Sequence, residues 1–114
     1  MRKKIPFADV RRYNAINLNK GLNDFKLCWK SILQQEMAPT VAGRFSHSAL
    51  VHENSMFIFG GGSSTATTFN DLWRFDLSKR EWVRPLSMGQ YPSPKACASM
   101  VCHNNKLILF GGWR

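Results

Sequence analysis

The chain has 114 residues, 44% hydrophobic and 20% charged, proportions that exclude collagen-like, low-complexity and wholly disordered classes. Sixteen Lys+Arg against seven Asp+Glu give a formal charge of +9 and a pI near 10.0, which raises nucleic acid and acidic membranes as partners. No apolar run approaches the ~20 residues that cross a bilayer, and Ile5 to Ile16 is interrupted by Asp9, Arg11, Arg12 and Asn14, which excludes a secretory signal core.

The charge is spread, not concentrated. Residues 1–42 hold eight Lys/Arg and three acids, and residues 43–114 hold eight and four. The N-terminal basic runs Arg2-Lys3-Lys4 and Arg11-Arg12 are read as solvated terminal charge, with a nuclear-import signal as the alternative. Scattered single charges argue against nucleic-acid binding, which ranks third among the functional readings.

Residues 1–43 form an N-terminal segment, irregular or partly helical. Residues 1–20 match no pattern and are expected to be disordered or spliced in. Around Trp29, Leu22, Phe25, Ile32 and Leu33 stand at helical spacing, with Asn19 or Asn23 as caps. The preferred reading is a strand of a preceding blade, because Lys26 to Leu33 echoes Lys79 to Leu86, with Trp and Leu four apart in both.

Residues 44–94 read as four strands. Ser46 to His52 is followed by the turn Glu53-Asn54-Ser55, then by the apolar run Met56 to Phe59, bounded by Gly60-Gly61-Gly62. Leu72 to Leu77 alternates with period two, so Trp73, Phe75 and Leu77 share a face. Ser78-Lys79-Arg80 turns the chain, and Glu81 to Arg84 follows until Pro85 stops it. Residues 95–114 repeat the first half: Cys97 to His103, a turn at Asn104-Asn105-Lys106, then Leu107 to Phe110.

An offset of 51 residues superposes the two blocks without a gap. Arg44 falls on Lys95, His52 on His103, Asn54 on Asn105, and Met56 to Gly61 on Leu107 to Gly112. Four short antiparallel strands recurring every ~50 residues are propeller blades. The expected fold is all-β, about one and a half blades: repeat one at 44–94 and a truncated repeat two at 95–114.

Arg44-x-x-His47, Gly60-Gly61, the segment Asn70 to Asp76, and Trp82 resemble one full kelch repeat. In that resemblance Gly60, Gly61, Asp76, Trp82, Gly111 and Gly112 are the structural motif residues. Phe69 to Arg74, Glu81 to Leu86, Tyr91 to Ala96 and Leu109 to Trp113 are similar, more narrowly, to the F-box/kelch substrate receptors of cullin-RING ubiquitin ligases. The resemblance implies a protein-binding module that presents proteins for ubiquitination, in the cytoplasm or nucleus. A kelch scaffold of another class, cytoskeletal or nuclear, is the alternative. Nothing in residues 1–43 resembles an F-box, Ile5-Pro6 being the nearest match, so a cullin-RING adaptor is implied only where the full-length product carries one.

Partner-binding candidates follow from blade geometry. The loops Gly62 to Asn70 and Pro85 to Lys95 fall on one face, which nominates Arg44, Ser46, Ser63, Ser64, Thr65, Asn70 and Lys95. Arg44 and Lys95, opening the innermost strands, are expected to ring the channel mouth and to favour acidic or phosphorylated protein partners.

Catalytic and cofactor chemistry find no support in the sequence. Gly60-Gly61-Gly62-Ser63-Ser64 lacks the Lys of a phosphate-binding loop. His47 or His52 with Asp71 or Asp76 has no nucleophile elbow to complete a triad. Tyr13 and Tyr91 lack the Cys/His constellation of the kelch copper radical oxidases. Cys28, Cys97 and Cys102 show no C-x-x-C spacing and are read as buried reduced thiols. A metal site from Cys97, Cys102 and His103 is disfavoured because residues 97 and 102 point to opposite strand faces. The expectation is a binding protein without enzyme activity, metal or cofactor. One blade and a half also leaves apolar faces uncovered, so Phe57, Phe59, Trp73, Phe75 and Leu107 to Phe110 are expected to be partly wet and the isolated chain only marginally folded.

Overall fold

The computed structural model describes residues 39–114, together with the backbone strands Arg12–Asn14 (β1) and Trp29–Ser31 (β2). These two pair antiparallel, with Tyr13 opposite Lys30. The strand preferred at Trp29 is therefore present, and β1 adds one inside a stretch expected to be disordered. The helical spacing from Leu22 to Leu33, the basic Arg2-Lys3-Lys4 cluster and Cys28 otherwise lie outside the described residues.

Repeat one is an antiparallel four-stranded sheet in chain order: β3 (Ser48–His52), β4 (Ser55–Phe59), β5 (Leu72–Asp76) and β6 (Glu81–Val83). Repeat two is the pair β7 (Ala96–His103) and β8 (Lys106–Trp113). The fold is all-β, as expected, and no helix occurs among the described residues. No helix there is long and apolar enough to cross a membrane.

The 51-residue repeat is reproduced in the backbone itself. Ser46 and Cys97 both take positive φ, 55° and 56°, as do Glu53 and Asn104, at 52° and 47°. Gly60 and Gly111 match at 64° and 74°, and Gly61 and Gly112 at 92° and 82°. Left-handed backbone is costly for residues with a Cβ. Its recurrence at equivalent positions shows one supersecondary unit built twice.

Register assigns the two faces of the first sheet. Ile58 lies opposite Trp73, Met56 opposite Phe75, and Phe75 opposite Trp82, so these five share a face. Ile58 is completely buried, and it clusters with Phe75, Trp82 and Val41, with Met56 and Trp73 packed alongside. The Phe75 and Trp82 rings meet at 4.9 Å between centroids with a 58° tilt, a geometry that adds ~0.5–1.5 kcal/mol beyond burial. Val41 comes from the segment before Arg44, so the blade boundary drawn at 44 cuts off part of its core.

The opposite face, carrying Ser48, Leu50, Phe57, Phe59 and Leu72, meets repeat two. Ser48 donates its hydroxyl to the Ala98 carbonyl at 2.6 Å, and the Cys97 amide donates to the Ser46 carbonyl at 2.8 Å. Phe59 and Phe75 are 5% and 4% exposed, so both are dry where partial wetting was expected. Val41 covers one face and repeat two the other. The expectation does hold for β8, where Ile108 and Phe110 are exposed, as is Val101 beside them on β7.

Candidate interaction surface

Two loops leave the blade on the same side, and the structure draws them together. Asn70, at the end of the first, donates its side-chain amide to the Pro92 carbonyl in the second, at 3.3 Å. Phe69 is fixed between the repeats: its amide donates to Gly61 at 2.8 Å, and its carbonyl accepts from the Lys95 amide at 3.1 Å.

The 62–70 loop is closed by its own polar groups. The Ser63 hydroxyl accepts from the Thr65 and Thr67 amides, each at 3.3 Å, and lies 2.9 Å from the Thr65 hydroxyl. Ser63 and Thr65 thereby shape the loop, while Ser64 at its tip is exposed. The 85–94 loop is different in kind, because it displays apolar side chains. Leu86 and Met88 are fully exposed and Tyr91 is 44% exposed, with the Ser87 hydroxyl held on the Tyr91 oxygen at 2.6 Å. Beneath it opens a cleft of about 160 Å³ whose walls include Phe59, Leu72, Met100, Leu107 and Leu109.

Arg44 is placed differently from the rim cation expected of it. Its side chain is 0% exposed. The guanidinium donates to the Ala42 carbonyl at 3.1 Å and the Gly60 carbonyl at 3.0 Å, and both its Nη atoms engage Asp71, Nη2 to Oδ2 at 2.9 Å. It also stacks over the Phe69 ring at 4.2 Å. Asp71 takes a further hydrogen bond from the Trp73 indole at 2.8 Å. Arg44 braces the entry segment, the end of β4 and the start of β5. Its charge is consumed inside the blade, because a buried guanidinium needs a bidentate partner.

Lys95 is half-buried, and its backbone does the joining: its carbonyl accepts from the Gly61 amide at 3.0 Å. Ser46 is exposed, with its carbonyl engaged by Cys97. Of the named candidates, the structure groups Ser63, Ser64, Thr65 and Asn70 on one loop beside 85–94 and sets Arg44 apart from them.

The motif residues have explicit physical roles. A Cβ on Gly60 would lie 2.4 Å from the Lys95 carbonyl oxygen, and one on Gly61 2.7 Å from that of Phe45. The glycine pair is the point where the two repeats touch backbone to backbone. Gly112 is crowded in the same way, with the Ala96 oxygen 2.9 Å from its Cβ position, while Gly111 is open. The Asp76 carboxylate accepts from the Ser78 and Lys79 amides at 3.0 and 2.9 Å, closing the β5–β6 turn. Trp82 fills the core against Phe75.

No group of three metal-ligating side chains occurs among the described residues. Cys97 is exposed and Cys102 half-buried, on opposite faces of β7. Cys97 thus departs from the buried thiol expected, because the face it occupies is the outer one of repeat two. In the sequence Asp71 stands within the kelch-like segment Asn70 to Asp76 and in a disfavoured triad, not as a partner of Arg44. Its pairing with Arg44 across 27 positions leaves no periodic signal in a single chain.

Burial opposes ionisation of Asp71, but the hydrogen bonds from Arg44 and Trp73 and the field of Arg44 together hold its pKa below the ordinary value. Burial, assisted by Arg44, likewise lowers the pKa of His47, whose Nδ1 is buried without a hydrogen-bond partner. In both cases the unfolded chain takes up the proton at higher pH than the folded chain, so acid favours unfolding. Stability is expected to be complete above about pH 6.5 and to fall as His47 protonates in the unfolded chain. It should fall again below about pH 4, through Asp71. Denaturant unfolding between pH 3 and 8 checks this. Stability that stays level or rises toward acid would contradict it.

The description that matches this chain is the KLHDC2/KLHL20/DRC7 Kelch-repeats domain, over residues 16–114. The host cell factor homolog hcf-1 of Caenorhabditis elegans is 34% identical over 84 residues, covering 74% of this chain and 10% of that protein. Human host cell factor 2 is 32% identical over 113 residues, covering 85% and 14%. The rat Kelch domain-containing protein 3 is 36% identical over 73 residues, covering 61% and 19%. The chain thus spans between a tenth and a fifth of the length of these relatives. With the repeat, the glycine joints and the aromatic core already visible in its fold, the chain belongs to the Kelch-repeats domain family.

Proposed function

We propose that this chain is a protein-recognition module whose contact surface is the loop pair 62–70 and 85–95. The observation that carries the reading is the Asn70–Pro92 hydrogen bond, which sets a self-braced polar loop beside one displaying Leu86 and Met88 to solvent. Rigidly anchored loops with exposed apolar tips suit partner contact. The partner is a protein substrate of acidic or phosphorylated character. Arg44 is spent on Asp71, so cationic attraction falls to Lys95 and to exposed Lys79, Arg80 and Arg84.

The specific role we propose is that of a ubiquitin-ligase substrate receptor, on the resemblance of its segments to the protein called "just one F-box and kelch domain". Recruitment of a cullin-RING adaptor requires an F-box in the full-length product, and the setting is cytoplasmic or nuclear. A kelch scaffold or adaptor of another class is the second reading, favoured by relatives that share the repeat under different names.

The test is partner capture by the full-length product carrying Leu86→Asp and Met88→Asp, with ubiquitination of the captured protein as the second readout. Both side chains are fully exposed, so the melting curve should stay unchanged while the partner is lost. A partner retained by the double variant refutes the loop surface, and one captured but never ubiquitinated favours the scaffold. DNA retention at two salt concentrations addresses the basic charge: weak retention that vanishes at physiological salt is the expected result.

A further inference from the structure

The two loops carry almost no charge of their own. Residues 62–70 contain no Asp, Glu, Lys or Arg, and in 85–95 Lys95 is the only one. A single anionic group added there reverses the sign of the surface. Two residues before Lys95 stands Ser93-Pro94, the one place in the 114 residues where a Ser or Thr precedes Pro.

Ser93 is presented outward. It is exposed, and its hydroxyl has no hydrogen-bond partner among the described residues. Other loop and turn hydroxyls are occupied: Ser63 by loop amides, Ser78 by Asn54, and Ser87 by Tyr91. The chain is exposed without interruption from Leu86 to Ser93, between β6 and β7. Pro94 biases Ser93 toward extended backbone and offers no amide of its own. By the 51-residue offset Ser93 corresponds to Ala42, which is exposed as well. Outward presentation thus belongs to the repeat, and only the second copy places a hydroxyl there.

We propose that Ser93 is the acceptor of a proline-directed serine/threonine kinase, and that its phosphorylation releases an anionic partner from the loop surface. The Ser93 Oγ attacks the γ-phosphorus of magnesium-bound ATP, the bond to the β-phosphate oxygen breaks, and ADP leaves. The hydroxyl proton passes to the carboxylate base of the kinase. The phosphoserine carries a charge of about −1.5 to −2 at pH 7, against the single positive charge of Lys95. Like charges brought together oppose binding. The release rests on the acidic-partner reading of these loops, whereas the acceptor site does not.

The full-length product is treated with a purified proline-directed kinase and magnesium ATP, beside a free peptide of residues 87–99. One phosphate on Ser93 is expected, at a rate within about tenfold of the peptide, because no local unfolding has to precede transfer. The melting curve should not move, since the hydroxyl holds nothing in place. A rate more than about a hundredfold below the peptide, or a lowered melting temperature, would overturn the acceptor site. The probe for release is the protein captured by the unmodified product. Its affinity should fall about five- to tenfold on phosphorylation at low salt, and less at high salt, while the Ser93→Ala variant ignores the kinase. Unchanged affinity at full phosphorylation overturns the release. If Leu86→Asp with Met88→Asp still abolishes capture, the loop surface survives that failure; if capture persists, the two fall together.

Discussion

Replacing Arg44 with methionine is expected to cost about 3–5 kcal/mol of stability, because it strands a half-buried carboxylate without its cation. Asp71 would keep only the Trp73 indole as a side-chain donor, and the Gly60 and Ala42 carbonyls would each lose a hydrogen bond. Asp71→Asn should cost less, since the amide still accepts from Trp73 and presents no uncompensated charge. Joining Arg44→Met to Asp71→Leu should recover much of the single-variant loss, as removal of a whole buried pair often approaches neutrality. Denaturant unfolding of the four proteins completes a double-mutant cycle. A loss below about 1 kcal/mol for Arg44→Met would place this pair with the exposed, screened kind and would return Arg44 to the solvent rim. Partner binding, by contrast, should respond to Arg44 only through folding.

Gly60→Ala is the second large effect. The residue sits at φ +64°, and its Cβ would come within 2.4 Å of the Lys95 carbonyl oxygen. That oxygen is main chain, pinned by the Gly61 amide, so it has no side-chain rotamer by which to retreat. Left-handed backbone costs roughly 1–2 kcal/mol for an alanine, and forced overpacking adds about 1–3. Gly111→Ala separates the two contributions. Its φ is +74° but nothing lies within 4 Å of the added methyl, so only the backbone penalty of roughly 1–2 kcal/mol remains. The melting temperature of Gly60→Ala should therefore fall much further than that of Gly111→Ala. Equal falls would mean that the repeats do not meet at Gly60.

Much of the fold was legible in the sequence because it is local and repeated. Alternation at Leu72 to Asp76 requires a strand whatever surrounds it. The apolar run from Met56 ending in Gly60-Gly61 recurs 51 residues later, so each copy corroborates the other. The turn at Asp76 to Arg80 is written in Asx chemistry that operates within four residues. Trp29 shows the same legibility, since its strand was signalled by an echo of Lys79 to Leu86.

What only the tertiary structure decided depends on which residues meet across the chain. Arg44 and Asp71 are 27 positions apart, and nothing in their spacing announces a buried fork. Whether an arginine at a strand entry faces a channel or a carboxylate is set by where β5 begins relative to β4. The dryness of Phe59 and Phe75 was likewise hidden, because it depends on Val41 closing one face and repeat two the other. The adjacency of the two loops hangs on one hydrogen bond between Asn70 and Pro92. Periodicity and turn chemistry are short-range properties that a sequence carries openly. Burial, ion pairing and loop contact arise from long-range approach, and only the folded chain supplies it.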